Sequence, residues 1–593
     1  VVGKLFKQRK SALWLALGTA AGFAIGGVTA WWFVQRRPTT AGLPTGTTVI
    51  PQEAVMTVSV STDRGQWQQL RRFGTPETQA AFDRTLAQWR DRLLTANGLS
   101  YQQDIQPWVG NEITAALLLP PTDAANAPAD APGTVQPYDP TALVMGEQAL
   151  VFVLPIADPA KAQQLLSSPQ GDQDAVARDY KGVQIREVHN QTERAYAASV
   201  LGNRFVVVSD HTWAVEQVID TFKGEASVAA TPGYSQALGY ITAANPFAQI
   251  YVNVPAATTF TSNNAIQPIP PQLLVPIQAN RGLASTVTLE SEGLRMQGVT
   301  WLAPNSKTRF RVINNTERMP QLLPSETLLT AMGGNLKQLW QNYTEQPPEP
   351  LQTVPKPGFL NPDTLRQGLR NLTGLDLDND VMPWTAGEFA LGLVSAPAAA
   401  GSTSKAGVVV MVQASDRRAA DQTFQRLDEI MRERYRFQVS EAEIGGQSVV
   451  NWVSPFTALT VSRGWLDGNI AFLAIGPDLA STFLPAPAQS LADNEQFRAA
   501  TSTQLEPNNG HFFIELDRLA NPENLNLPLP ALSEENRAFL KAIRAIGLTA
   551  ALQDGRTTQY DVRVLMRKGD APGALPPPAL PAAPSPTEAS PAP

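Results

Sequence analysis

Two acidic pairs stand out by type and spacing. Asp104 and Glu112 flank Pro107-Trp108 in DIQPWVGNE, and Asp380 and Glu388 flank Pro383-Trp384 at the same intervals in DVMPWTAGE. Paired carboxylates are the equipment of acid–base hydrolysis: one carboxyl gives a proton while the other attacks or activates water. Such a site also needs positioned helpers, and neither copy brings a recurrent His, Lys or Ser beside its pair. A folding role explains the same residues. An Asp that accepts backbone N–H bonds three residues on nucleates a turn, and Pro restricts it. Trp108 and Trp384 then anchor the turn to a sheet. Glu112 and Glu388, where a strand begins, pair with a neighbouring base or with turn amides. The constellation reads as one structural latch built twice, with an acid-residue hydrolase as the lesser alternative.

Other chemistry is thinly represented. DLDND (Asp376–Asp380) has the carboxylate density of a calcium loop, but Val381 and Gly387 stand where an EF-hand requires Gly and Glu. Cys is absent and there are three histidines, His189, His211 and His511, none at a repeated position. His211, in SDHTWAVEQV, is expected near a helix start in a capping or surface role. No GxSxG elbow, HExxH helix, Walker loop or strand–GxGxxG–helix occurs. No catalytic residue, cofactor or metal ligand is assigned on this basis.

The elements that must position the latches also come in two sets. Pro51–Trp67 parallels Pro324–Trp340 at an offset of 273; Asp158 parallels Asp416, Gly202-Asn203 parallels Gly468-Asn469, and Gly293 parallels Gly555. The change in offset follows from a Pro/Ala/Asp-rich insertion, PTDAANAPADAPGTVQPYDP, present only in the first copy. Within a copy, AVMTVSV, ITAALLL and ALVFVLPI read as strands. TPETQAAFDRTLAQWRDRLL reads as a helix with Thr75 as N-cap and Pro76 in the first turn. DPAKAQQLL and SDRRAADQTFQRLDEIM read as twin capped helices. YAASVL-GN-RFVVVS and VTLESEGLRMQGV read as hairpins. The expected fold class is α+β: two tandem homologous units with mainly antiparallel sheets flanked by helices.

The expected organisation is a basic cytoplasmic N-terminus at 1–10 and a transmembrane helix at 11–34. A linker at 35–47, a first unit at 48–305, a second linker at 306–318 and a second unit at 319–568 come next. A disordered Pro/Ala-rich tail at 569–593 completes it. Ser11–Val34 carries no charge, and about 20 apolar residues suffice to cross a bilayer. Lys4, Lys7, Arg9 and Lys10 before it, against Arg36 and Arg37 after it, place the bulk of the chain on the periplasmic or thylakoid-lumenal side. The length of the span favours a single-pass anchor over a cleaved signal ending near Ala30. Gly18, Gly22 and Gly26 lie on one helix face and suit close packing with another helix, either of another membrane protein or of a second copy. Setting the six flanking basic residues aside leaves 40 Lys and Arg against 53 Asp and Glu. That acidic balance disfavours nucleic acid as a partner. Two apolar proline-rich passages, AIQPIPPQLLVPI (265–277) and LNLPLPALS (525–533), either roof a core or offer a patch to a protein or lipid.

With both Pro-Trp motifs, the GWLDGN turn (Gly464–Asn469) and the anchor taken together, the chain resembles the cyanobacterial family "domain of unknown function thirty-three fifty-two". The resemblance spans roughly the whole ectodomain. It implies a membrane-anchored protein of a photosynthetic bacterium, in the plasma or thylakoid membrane, and brings no catalytic residues with it. The expected function is a non-enzymatic, membrane-tethered interaction or assembly protein; the alternative is a carrier or chaperone for an apolar ligand or lipid.

Overall fold

The computed structural model describes residues 42–577, except 96–98, 121–147, 167–174, 191–193, 265–279, 305, 307–308, 311–314, 345–361, 396–405, 456–458, 467, 477 and 520–538. The expected transmembrane helix with Gly18, Gly22 and Gly26 lies outside the described residues. So do the inserted loop and both apolar proline-rich passages. Among the described residues no helix is long and apolar enough to cross a membrane.

Among the described residues, ten strands belong to the first half of the chain: β1 (Met56–Ser61), β2 (Glu112–Leu118), β3 (Ala149–Pro155), β4 (Ala175–Tyr180), β5 (Val183–Asn190), β6 (Arg194–Leu201), β7 (Phe205–Ser209), β8 (Ala248–Asn253), β9 (Asn280–Leu289) and β10 (Gly293–Leu302). Ten more belong to the second: β11 (Thr327–Gly333), β12 (Phe389–Ser395), β13 (Ala406–Gln413), β14 (Gln438–Ile444), β15 (Gln447–Val453), β16 (Thr460–Leu466), β17 (Ile470–Ile475), β18 (Gly510–Glu515), β19 (Ile543–Leu552) and β20 (Thr557–Met566). Every pairing between them is antiparallel. In the first half the neighbours run β4-β5-β6-β7-β3-β2-β1-β8-β9-β10. In the second they run β14-β15-β16-β17-β13-β12-β11-β18-β19-β20. The last strand of each series pairs with the other, Gly293 opposite Leu565 through Trp301 opposite Thr557, and joins all twenty strands into one sheet.

Local chemistry explains the elements. β19 alternates buried and half-buried residues along its length, the period of two that a strand with one face on a core requires. Gly202 and Asn203, both at φ +54°, make the left-handed pair that a tight β6–β7 hairpin needs. Four helices obey the same local logic at their starts. α1 (Arg64–Leu70) is capped by Asp63, which accepts from the Gln66 amide. α2 (Pro76–Leu93) has Thr75 and Thr78 in a capping box. α3 (Pro159–Leu166) and α4 (Arg417–Glu433) begin at Asp158 and Asp416, whose carboxylates accept the amides of Lys161 and Ala419.

The first-half core gathers Val151, Val153, Ile185, Phe205 and Tyr251 from the sheet under Val215, Val218 and Ile219 of the helix Thr212–Phe222. The second gathers Val409, Met411, Phe472, Phe483, Phe497 and Phe513. Each such side chain contributes about 1.5–3 kcal/mol by leaving water.

Three boundaries differ from those expected. The turn Thr45–Thr48 already belongs to the fold, with Gly46 and Thr47 buried, so the first unit starts before 48. The second linker ends by Thr316, itself buried. Residues 569–577, expected to begin a solvated tail, run along α2. Gly569 has no side chain to hold it off Gln79, and its amide donates to the Arg72 carbonyl.

Candidate functional site: two carboxylate latches

Each latch is a turn closed by an i→i+5 bond. The amide of Gln106 donates to the Tyr101 carbonyl at 2.7 Å, and that of Met382 donates to the Leu377 carbonyl. A π-turn is wide enough for the carboxylate inside it to reach backward. Asp104 Oδ2 therefore accepts the Ser100 amide at 2.6 Å, and Asp380 Oδ2 accepts the Asp376 amide at 2.7 Å. This corrects the expectation of a bond three residues on.

Trp108 and Trp384 are buried, and each indole N–H returns to the carbonyl of its own latch Asp, Trp108 to Asp104 and Trp384 to Asp380. Trp108 packs with Val206 of the sheet and Ala162 of α3; Trp384 packs with Val412, Ala471 and Phe424 of α4. Pro107 and Pro383 sit directly before these indoles; Pro383 is the middle residue of the short helical turn Met382–Trp384.

The glutamates act elsewhere. Glu112 Oε1 accepts the Thr45 amide at the turn that opens the first half. Glu388 is 2% exposed, and its Oε1 accepts the amides of Glu317, Arg318 and Met319 at 2.8, 2.9 and 3.2 Å. Met319 begins the short helix Met319–Leu322, so Glu388 holds the unpaired donors of a helix start. Asp and Glu of one copy thus bind separate backbone segments.

The carboxylates of DLDND are each taken by an arginine. Arg370 pairs with Asp376, Arg366 with Asp378, and Arg426 of α4 with Asp380. These partners hold all three carboxyls below the usual range. For Asp376 and Asp378 the arginine bond is the largest cause, and for Asp380 the Asp376 amide comes first. Among the described residues no cluster of three or more metal-ligating side chains is present. His211 occupies the N-cap position of the helix Thr212–Phe222 without capping it, and its ring faces Asp210 at 3.1 Å. His511, on β18, places Nδ1 2.9 Å from Thr549 Oγ1, and burial pushes its imidazole down to about 4.

A family model described as "Protein of unknown function (DUF3352)" matches residues 16–566. The chain belongs to this family. Comparison of the DUF3352 chain with curated proteins gives no match. Crystal forms III and I of TP0453 share 10% and 9% identity with it, each at a TM-score of 0.23, covering 46% of this chain and 84% and 82% of theirs. Form IV gives 9%, 0.24, 44% and 82%.

Sequence reasoning did not find the seam of the DUF3352 sheet. Arg295 on β10 grips Asp561 on β20 through Nε and Nη2, at 3.0 and 2.7 Å. Thr503 donates to the same carboxylate at 2.8 Å. The two residues lie too far apart in sequence for any local pattern to link them.

Proposed function

We propose that this chain is a non-enzymatic, membrane-tethered interaction or assembly protein, built from two copies of one ten-stranded unit. Ser11–Val34 anchors it, and the bulk faces the periplasm or a thylakoid lumen. One observation carries the interaction reading. Among the described residues, seven of the nine exposed large hydrophobic side chains fall between Leu339 and Phe512. Leu391 and Phe512 lie on either side of Ala331, across three adjacent strands. Exposed apolar side chains that flank one another on a sheet face, as Leu391 and Phe512 do, suit a protein contact. The matching strand orders of the two halves, and the recurrence of each latch at the same place in them, support duplication. The acidic residues that would serve a hydrolase hold backbone amides instead.

The test is purification from membranes in mild detergent, after an alkaline carbonate wash, of the unaltered chain and of a Leu391→Glu/Phe512→Glu chain. The expected result is a wash-resistant protein with a reproducible co-purifying complex or self-association, lost in the double variant while its circular dichroism is unchanged. A washed-off protein, or one that never brings a reproducible companion, overturns the reading.

A further inference from the structure

The groove along α2 is already filled. After β20 the chain crosses to the first half, where Lys568 bridges to Phe73 and the Gly74 amide donates to the Arg567 carbonyl at 2.9 Å. Three side chains then donate to backbone carbonyls of the next segment. Gln79 Nε2 reaches Asp570 at 3.2 Å, Arg71 Nη2 reaches Gly573 at 2.7 Å, and Arg90 Nη1 reaches Pro576 at 2.8 Å. The carbonyls stand three residues apart. That is the period of a polyproline II helix, in which every third carbonyl points the same way and no internal bond uses it. Pro572, Leu575 and Pro576 are the half-buried residues of the segment, Pro572 and Leu575 three apart, while Ala571, Gly573 and Ala574 are exposed.

Two of the donors are also held by carboxylates. Asp83 takes Arg71 through Nε and Nη2 at 2.7 and 2.8 Å, and Asp91 takes Arg90 Nε at 2.8 Å. Gln79, Asp83 and Arg90 succeed one another at helical spacing on one face of α2. Recognition of this kind reads backbone carbonyls and the shape of prolines rather than particular polar side chains.

We propose that this face of α2 is a receptor for a polyproline II segment, and that its resident ligand is the chain's own Asp570–Pro577. The docked segment straps the second half to the first. A proline/alanine-rich segment of another chain can take the groove only by displacing it.

The chain has no cysteine, so spin labels can be placed at Ala80→Cys and Ala574→Cys, which line the same groove. The full-length chain is expected to give one short, narrow distance. Arg71→Ala/Arg90→Ala is expected to broaden it and to speed exchange of the Gly569 amide at least tenfold. Pro572→Gly/Pro576→Gly, which leaves α2 untouched, is expected to broaden it too. A synthetic peptide of residues 569–577 should then bind this second variant and not the unaltered chain. A broad distance in the unaltered chain overturns the proposal. So does a short distance that survives both sets of changes, or one that appears only between singly labelled molecules. Failure of the peptide to bind the emptied groove, in a chain of unchanged circular dichroism, overturns the receptor.

Discussion

Glu388 collects three backbone amides on one carboxylate oxygen in a setting closed to water. Replacing it with Ala leaves those donors unmatched. The expected loss is about 2–4 kcal/mol, read from the urea midpoint by tryptophan fluorescence. Glu112→Ala, which frees a single amide, is expected to lose about 1 kcal/mol in the same measurement. The sequence left these glutamates to a neighbouring base or to turn amides, and the structure has the amides, because strand entry sets each carboxylate against a turn distant in sequence. The backward reach of Asp104 and Asp380 was not: i→i+5 turns carry no residue signature of their own, and only the wider backbone brings the earlier amide within range. At His511 the folded ring resists protonation, with its imidazole at about 4 against an ordinary value of about 6.5. Between those values the unfolded chain binds more protons, so stability is full above the upper one and falls as pH drops toward the lower. Burial moves Glu515 on the same strand upward, which gives a slope of the opposite sign, so the difference between chains isolates the histidine. His511→Asn is expected to remove a loss of up to about 3 kcal/mol between pH 7 and pH 4, measured as the change in urea midpoint relative to the unaltered chain.

Helices and hairpins obeyed their local signals. Thr75 before Pro76 marked the start of α2, Asp158 and Asp416 marked α3 and α4, and the Gly202-Asn203 pair marked the β6–β7 turn. These signals work because each satisfies a bond or a torsion within a few residues. Thr75→Ala is expected to cost about 1 kcal/mol of stability, seen as faster amide exchange across the first turn of α2 before any change elsewhere. The ends of the units were misplaced for the converse reason. Thr45–Thr48 and residues 569–577 are rich in Pro, Gly, Ala and Thr, a composition that reads as linker, and partners distant in sequence hold them in place: Glu112 for the first, Arg71, Gln79 and Arg90 for the second.

At the scale of the molecule, the repeated strand order makes β10 and β20 equivalent edges, and their pairing leaves β4 and β14 as the outer edges of one sheet. Asp561 and Arg295, 2% and 12% exposed at their side chains, sit on that seam. Arg295→Ala strands the Asp561 carboxylate, and the expected destabilisation is about 3–5 kcal/mol, with calorimetry resolving two transitions where the unaltered chain gives one. The most direct test of the proposed membrane-tethered interaction is crosslinking mass spectrometry on native, carbonate-washed membranes. The chain is expected to remain with the membrane, with recurrent links to another protein or a second copy from Lys337, on the same helix as exposed Leu339. A chain that washes free, or one whose links are all internal, contradicts it.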